Sequence, residues 1–228
     1  MPESTLLLGI DTCGPTGSVA LGRWDGHTIE ILGQIELEGR SYSSTLVAAV
    51  GELLTRGGVT LRGVGAIVAV SGPGSFTGVR VGLSAVKGLA ETRIPVVAVS
   101  RLEVLAAKAG TLSAALDAHR HEVFLRLGVR GEQGRELLAG AHELTAIDPP
   151  PSRIAVCDEA AALLLASAWP QAELIRTAAP TAADALQLCA PRVAAGEFVD
   201  LALLDGHYLR RSDAEIFGEP AIAEPQRP

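Results

Sequence analysis

Apolar and polar positions along the chain fall into two rhythms. Short runs of strand length occupy residues 5–11, 17–24, 28–36, 66–71 and 96–98, wholly apolar over 66–70 and mixed with polar positions over 28–36, and are bounded by glycine, proline or polar clusters. Gly26, in Trp24-Asp25-Gly26-His27, marks a hairpin turn between the second and third runs. In the gaps between the third, fourth and fifth runs the spacing becomes helical, which predicts helices over 43–56 and 78–92. The second half repeats the theme more weakly. A helix over 101–109 leads to strands over 113–117, 122–129 and 136–143. The Pro-rich Asp148-Pro149-Pro150-Pro151 precedes a strand over 153–158 and helices over 159–167 and 181–196. Three strands followed by alternating helix and strand, twice over, indicate an internal structural repeat without evident sequence identity.

The most informative loop sits between the fourth strand and the second helix: Ser71-Gly72-Pro73-Gly74-Ser75-Phe76-Thr77-Gly78-Val79-Arg80-Val81-Gly82. A glycine-dense turn from strand to helix lets backbone come close to a ligand, with helix N-terminal amides pointing at it. It equally lets a helix pack hard against its own sheet. The common phosphate-loop patterns do not fit. A P-loop ends in Gly-Lys-Ser/Thr, whereas Gly78 is followed by Val79-Arg80, and Thr77 stands where a dinucleotide fingerprint needs its third glycine. Ser75 lacks the Gly-x-Ser-x-Gly setting of a nucleophile elbow. Spacing alone favours the structural turn.

The two helices beside this loop carry more apolar surface than one sheet needs. Over 43–56, Leu46, Val47, Val50, Leu53 and Leu54 spread over more than one face, and residues 41–51 hold no charge. The helix over 78–92 has a polar stripe (Arg80, Ser84, Lys87, Glu91) and an apolar one (Val79, Leu83, Val86, Ala90). A third stripe is small: Gly78, Gly82 and Ala85, with Leu89 at its end. Small residues at i and i+4 allow a second helix to approach closely. The expectation is an intermolecular helix pairing through Leu46, Val47, Val50, Leu54, Phe76, Gly78, Gly82, Ala85 and Leu89. The alternative is that the two helices pack only against each other and their own sheet.

Composition narrows the field. At 228 residues the chain can form one large domain or two lobes. It is 48% hydrophobic with a mean hydropathy of +0.30, yet its longest uncharged stretches are broken by glycine and proline and fall short of a span of about 20 residues. Met1-Pro2-Glu3-Ser4 lacks the basic start of a signal peptide, so a cytoplasmic location is expected. Cys13, Cys157 and Cys189 are odd in number and far apart, which suits small buried residues in a reducing compartment rather than disulfides or zinc. A net charge of −7 argues against independent nucleic-acid binding.

Gly72 to Gly82, written GPGSFTGVRVG, closely resembles the signature of the bacterial TsaB (YeaZ) family. The likeness continues in Leu6-Leu7-Leu8-Gly9-Ile10-Asp11-Thr12 with Gly17-Ser18-Val19-Ala20-Leu21, in Leu116-Asp117-Ala118-His119-Arg120-His121-Glu122-Val123, and in Tyr208-Leu209-Arg210 with Asp213-Ala214-Glu215. It implies an α/β, two-lobed fold of the actin/Hsp70/sugar-kinase type, a duplicated ribonuclease-H-like unit. The expected division is a partner-binding lobe over 1–100, a second lobe over 101–217 and a loosely packed tail over 218–228. The resemblance further implies a non-catalytic subunit. Such a subunit binds the TsaD-type catalytic protein and, with the TsaE-type ATPase, supports transfer of threonylcarbamoyl to adenosine 37 of tRNAs reading codons that begin with A. Alone it pairs with itself, and tRNA is met only through the complex. No cofactor is required of this chain, with room for ATP or ADP at the interface with the catalytic subunit.

In the actin-like fold the first hairpin carries an aspartate and small residues near nucleotide phosphate and its metal. Asp11, Thr12 and Ser18 hold comparable places, either as a residual nucleotide site or, on the preferred reading, with Asp11 as a turn cap. The catalytic relative holds a metal with two histidines at i, i+4, and this chain has no such pair. His27, His119, His121, His142 and His207 all fall in predicted turns or strands, so no metal site is expected. Many family members place a histidine where this chain has Tyr42. No serine or cysteine has a recognisable activating context, so no catalytic residue is assigned. The rival from another class is a stand-alone actin-fold kinase of small molecules or a metal-dependent hydrolase.

Overall fold

The computed structural model of the chain describes residues 4–38, 41–91 and 93–210. The first half runs β1 (Thr5–Asp11), β2 (Thr16–Trp24), β3 (Ile29–Glu38), α1 (Tyr42–Arg56), β4 (Val64–Val70), α2 (Phe76–Ala90) and β5 (Val96–Val99). The second half runs α3 (Arg101–Lys108), β6 (Ala114–Asp117), β7 (Glu122–Leu127), β8 (Arg135–Gly140), α4 (Ala141–Thr145), β9 (Arg153–Val156), α5 (Glu159–Ala168), β10 (Glu173–Arg176) and α6 (Ala182–Ala195).

Two five-stranded sheets result, in the orders β3-β2-β1-β4-β5 and β8-β7-β6-β9-β10. In each, the first three strands form an antiparallel meander, and the fourth and fifth add in parallel beside the first. The two halves therefore have one topology. This is the duplicated, two-lobed ribonuclease-H-like architecture of the actin group, as the order of elements implies.

Burial follows from it. β1 and β4 are central and covered on both faces, so Leu7, Leu8, Ile67 and Val68 are fully buried and the strands read as unbroken apolar runs. α1 and α2 cover one face of the first sheet and α6 the other. In the second sheet alternate residues part to the two faces. Ala115, Val123 and Leu125 pack toward α5, while Ala114, Leu116 and Phe124 pack toward α3.

The expected lobe boundary needs correction. Residues 182–195 belong by sequence to the second half, but Ala182, Ala185, Leu186, Cys189 and Val193 of α6 are buried in the core of the first sheet. A helical period predicts a helix with one apolar face, not which sheet that face meets. The expected strand over 136–143 ends at Gly140, where the chain turns into α4 and the Glu143 carboxylate accepts from the Gly140 N–H at 3.0 Å. His142 thus lies on a helix rather than in a turn or strand. The sequence pattern predicts no strand at β10. The predicted second helix starts two residues early, at Phe76, and its predicted end, Thr92, is outside the described residues, as are Asp213-Ala214-Glu215 and the expected tail.

Candidate functional site

The glycine loop, the β1–β2 turn and the start of α3 converge at one place. Asp11 ends β1 buried at 1% exposure, and its Oδ1 accepts from the Cys13 N–H at 2.8 Å, closing the turn. Its Oδ2 faces the Arg101 Nε at 3.4 Å, with Arg101 itself only 5% exposed at the N-terminus of α3. Burial pulls the guanidinium toward its neutral form, but Asp11 and Cys13 outweigh it and hold the Arg101 pKa above its ordinary value. The Thr12 hydroxyl donates to the Gly78 carbonyl at 2.7 Å, and the Ser18 hydroxyl accepts from the Ala182 N–H at 2.8 Å, at the start of α6.

Asp11, Thr12 and Ser18, the three residues aligned with a nucleotide site, are therefore brought together but each is engaged by its own chain and shut from solvent. Tyr42 closes the same turn, its hydroxyl donating to the Gly14 carbonyl at 2.8 Å. Burial, with the Asp11 charge second, pushes its phenol up to about 12. Burial and then Asp11 also push the Cys13 thiol well up, and its Sγ donates to the Val70 carbonyl at 3.3 Å, so it is a buried apolar group and not a thiolate nucleophile.

The glycine loop approaches backbone, and that backbone is its own. A Cβ at Gly74 would overlap the Cys13 carbonyl oxygen, and one at Gly78 would overlap the Thr12 carbonyl oxygen. The Ser75 N–H donates to the Cys13 carbonyl at 2.8 Å, and the Ser75 hydroxyl caps α2 by accepting from the Gly78 N–H at 3.2 Å. The close approach allowed by glycine is spent on seating α2 against the β1–β2 turn.

This redirects the expected partner face. A Cβ at Gly82 would overlap Thr12 Oγ1, so Gly78 and Gly82 point inward, and Leu46, Val50 and Leu54 are buried in the first core. Phe76, Ala85 and Leu89 are half-buried. Of the predicted set, Val47 stands out at 62% exposure. It borders a shallow groove of about 300 Å³ between α1 and α2, lined by Tyr42, Ser43, Leu46, Val47, Arg80, Val81, Ser84 and Ala85. Of the stripe of small residues only Ala85 reaches this groove, whose α2 side is otherwise Arg80, Val81 and Ser84. Arg80, read as part of a polar stripe, is on its edge.

A third feature joins the lobes. Residues 204–210 cross from the first sheet to the second: the His207 N–H donates to the Ser71 carbonyl at 2.7 Å, and Arg210 pairs with Glu122 and donates to the Ala118 carbonyl. His207 Nε2 lies 2.8 Å from Glu136 Oε2, which also accepts from the Ser100 hydroxyl at 2.7 Å, while Arg126 reaches the other oxygen at 2.8 Å. The Tyr208 ring lies tilted against Phe76, ring centroids 5.0 Å apart. His119 and His121 do not share a strand face. They lie in the β6–β7 turn, where residues 119–121 all have positive φ. Among the described residues no group of three or more His, Cys, Asp or Glu is placed to hold a metal ion.

Comparison with known proteins finds chains of similar sequence and structure. A structure described as an uncharacterized protein from Pseudomonas aeruginosa with similarity to peptidase YeaZ superposes with a TM-score of 0.73 at 29% identity, covering 90% of this chain and all of that one. A second, YeaZ from the same organism, gives 0.71. The tRNA threonylcarbamoyladenosine biosynthesis protein TsaB of Escherichia coli is 35% identical over 135 residues. The chain is similar to TsaB (YeaZ) proteins along most of its length. The TsaB of Bacillus subtilis is 36% identical over 126 residues. These alignments cover 56% and 53% of this chain, and 57% and 54% of the two relatives, so the chain spans about half the length of the curated relatives it matches. A family model described as TsaD, tRNA N6-adenosine threonylcarbamoyltransferase, matches residues 32–143. That range contains α1, α2 and the groove between them.

Proposed function

We propose that this TsaB-like chain acts in the formation of threonylcarbamoyladenosine at position 37 of tRNA as a non-catalytic subunit, docking on a TsaD-type catalytic protein through the α1–α2 groove. The observation that carries the reading is the contrast between the two surfaces. The polar atoms of Asp11, Thr12 and Ser18 are engaged within the chain, whereas the groove presents Val47, Val81 and Ala85 outward. An apolar groove flanked by two helices suits another helix laid along it. A TsaE-type ATPase and ATP or ADP at the interface complete the proposal, and tRNA is gripped by other subunits, in keeping with the −7 charge of this chain.

The test is reconstitution. The purified chain alone should neither turn over ATP nor modify tRNA, and adding it to the catalytic and ATPase subunits should restore threonylcarbamoyladenosine. Steady ATP hydrolysis by the chain alone, abolished by Asp11→Ala in a variant that remains folded, would favour the stand-alone actin-fold enzyme instead. Full modification by the other subunits without this chain would end the proposal.

A further inference from the structure

Among the described residues that line the groove, Arg80 alone carries a charge. Its guanidinium lies 3.7 Å from the Phe76 ring centroid and 5.9 Å from that of Tyr208. Stacking on an aromatic face fixes the plane of the guanidinium and leaves the N–H fork at its edge available to an oxygen acceptor. The acids of the two helices lie elsewhere. Glu52 pairs with Arg56, and Glu91 caps α2 eleven residues beyond Arg80, about 16 Å along the axis. The groove is thus an apolar trough with one pre-oriented cation, on a chain whose net charge is −7.

We infer that Arg80 selects the partner at this groove, favouring a protein whose docking helix presents a carboxylate over a second copy of this chain. A second copy pairing through the same groove brings another Arg80 to the apolar surface, and like charges brought together there oppose association. An incoming carboxylate instead meets a fork of matching geometry, already ordered by Phe76 and Tyr208. The inference rests on the docking role proposed above and gives it a discriminating residue.

Three variants separate the two ideas: Val47→Asp, Arg80→Glu and Arg80→Met, at exposed positions and each checked for folding by circular dichroism. Self-association is read by sedimentation and binding to the TsaD-type subunit of the same genome by calorimetry, at low and high salt. Val47→Asp should weaken both assemblies. Arg80→Glu should weaken the heterodimer about tenfold or more at low salt, less at high salt, and leave self-association about equal, because one like-charge pair replaces another. Arg80→Met should remove the salt dependence of the heterodimer. If Val47→Asp weakens assembly while Arg80→Glu leaves the heterodimer within twofold, or weakens both assemblies alike, the Arg80 inference is overturned and the docking surface stands. If Val47→Asp changes neither assembly, the docking surface itself is wrong, and the role of Arg80 falls with it.

Discussion

Gly82 and Gly88 lie six residues apart on α2, and replacing each by alanine should move stability in opposite directions. At Gly88 a Cβ would meet nothing within 4 Å, so alanine adds only its helix preference, about 1 kcal/mol of stabilisation. At Gly82 the same preference is outweighed. The new methyl would overlap Thr12 Oγ1 and lie 3.4 Å from Thr12 Cβ, in a side chain that is 1% exposed. Turning the threonine breaks its bond to the Gly78 carbonyl, worth about 1 kcal/mol, and pushing α2 outward overpacks the core at about 1–3 kcal/mol. The net expectation is about 1–3 kcal/mol of destabilisation, a loss of several degrees at about 2–4 °C per kcal/mol for a chain of this size. Thermal melts and denaturant titrations of both variants would measure it. Thr12→Ala should cancel most of the Gly82→Ala penalty in a double-mutant cycle, because it removes the overlapping oxygen. Gly82→Ala as stable as Gly88→Ala would refute the inward orientation of this face. Gly82→Arg, which would leave a folded monomer if the small stripe met a partner, should instead prevent folding.

At Gly74 the obstacle is the Cys13 carbonyl, which is backbone and cannot swing aside, so Gly74→Ala should reduce soluble folded protein severely; a normal melting curve would sink that claim. Asp11→Asn strands the buried Arg101 guanidinium and should destabilise by about 3–5 kcal/mol, with Arg101→Met restoring much of it; a single-mutant loss below about 1 kcal/mol in denaturant unfolding would contradict the pairing. Burial raises the Glu136 pKa, but bonds from His207, Ser100 and Arg126 outweigh it and hold the carboxyl below 4.5. A carboxyl depressed in the fold gives stability that is present above its unfolded value and lost as the pH falls through the folded one. Glu136→Gln should therefore flatten the fall in melting temperature below about pH 4.5, and an unchanged slope would exclude Glu136 as its source.

Much of the fold was legible because its central strands are buried on both faces and so read as apolar runs. The repeat was legible because the order of elements recurs. What stayed hidden depends on which distant parts meet. Arg101 is ninety positions from Asp11, and a single arginine opening a helix resembles any solvated residue. The stripe of Gly78, Gly82 and Ala85 announces a close approach without naming the other side; Thr12, from the β1–β2 turn, occupies it at the two glycines. β10 is only Glu-Leu-Ile-Arg, four residues at a sheet edge with polar ends, too short for a period to declare itself. The helix over 182–195 was visible, but its return to the first sheet is a matter of chain path.

The duplication also bears on what Asp11 does. Asp11 ends β1, and Asp117 ends β6, the corresponding strand of the second sheet. Each carboxylate accepts from the N–H two residues on, Cys13 in one case and His119 in the other, both at 2.8 Å. The shared geometry is thus a device for turning the chain from the first strand of the unit to the second. The surroundings differ. Asp117 remains partly exposed beside His119 at 2.9 Å, whereas Asp11 is sealed by Arg101, Cys13 and Tyr42. A carboxylate used for turning in both halves, and neutralised by a built-in guanidinium in the buried one, needs no bound cation to account for its presence. The Asp11→Asn and Arg101→Met pair carries this argument further. If the arginine serves only to balance the aspartate, removing both should leave the turn, the seating of α2 and the groove intact.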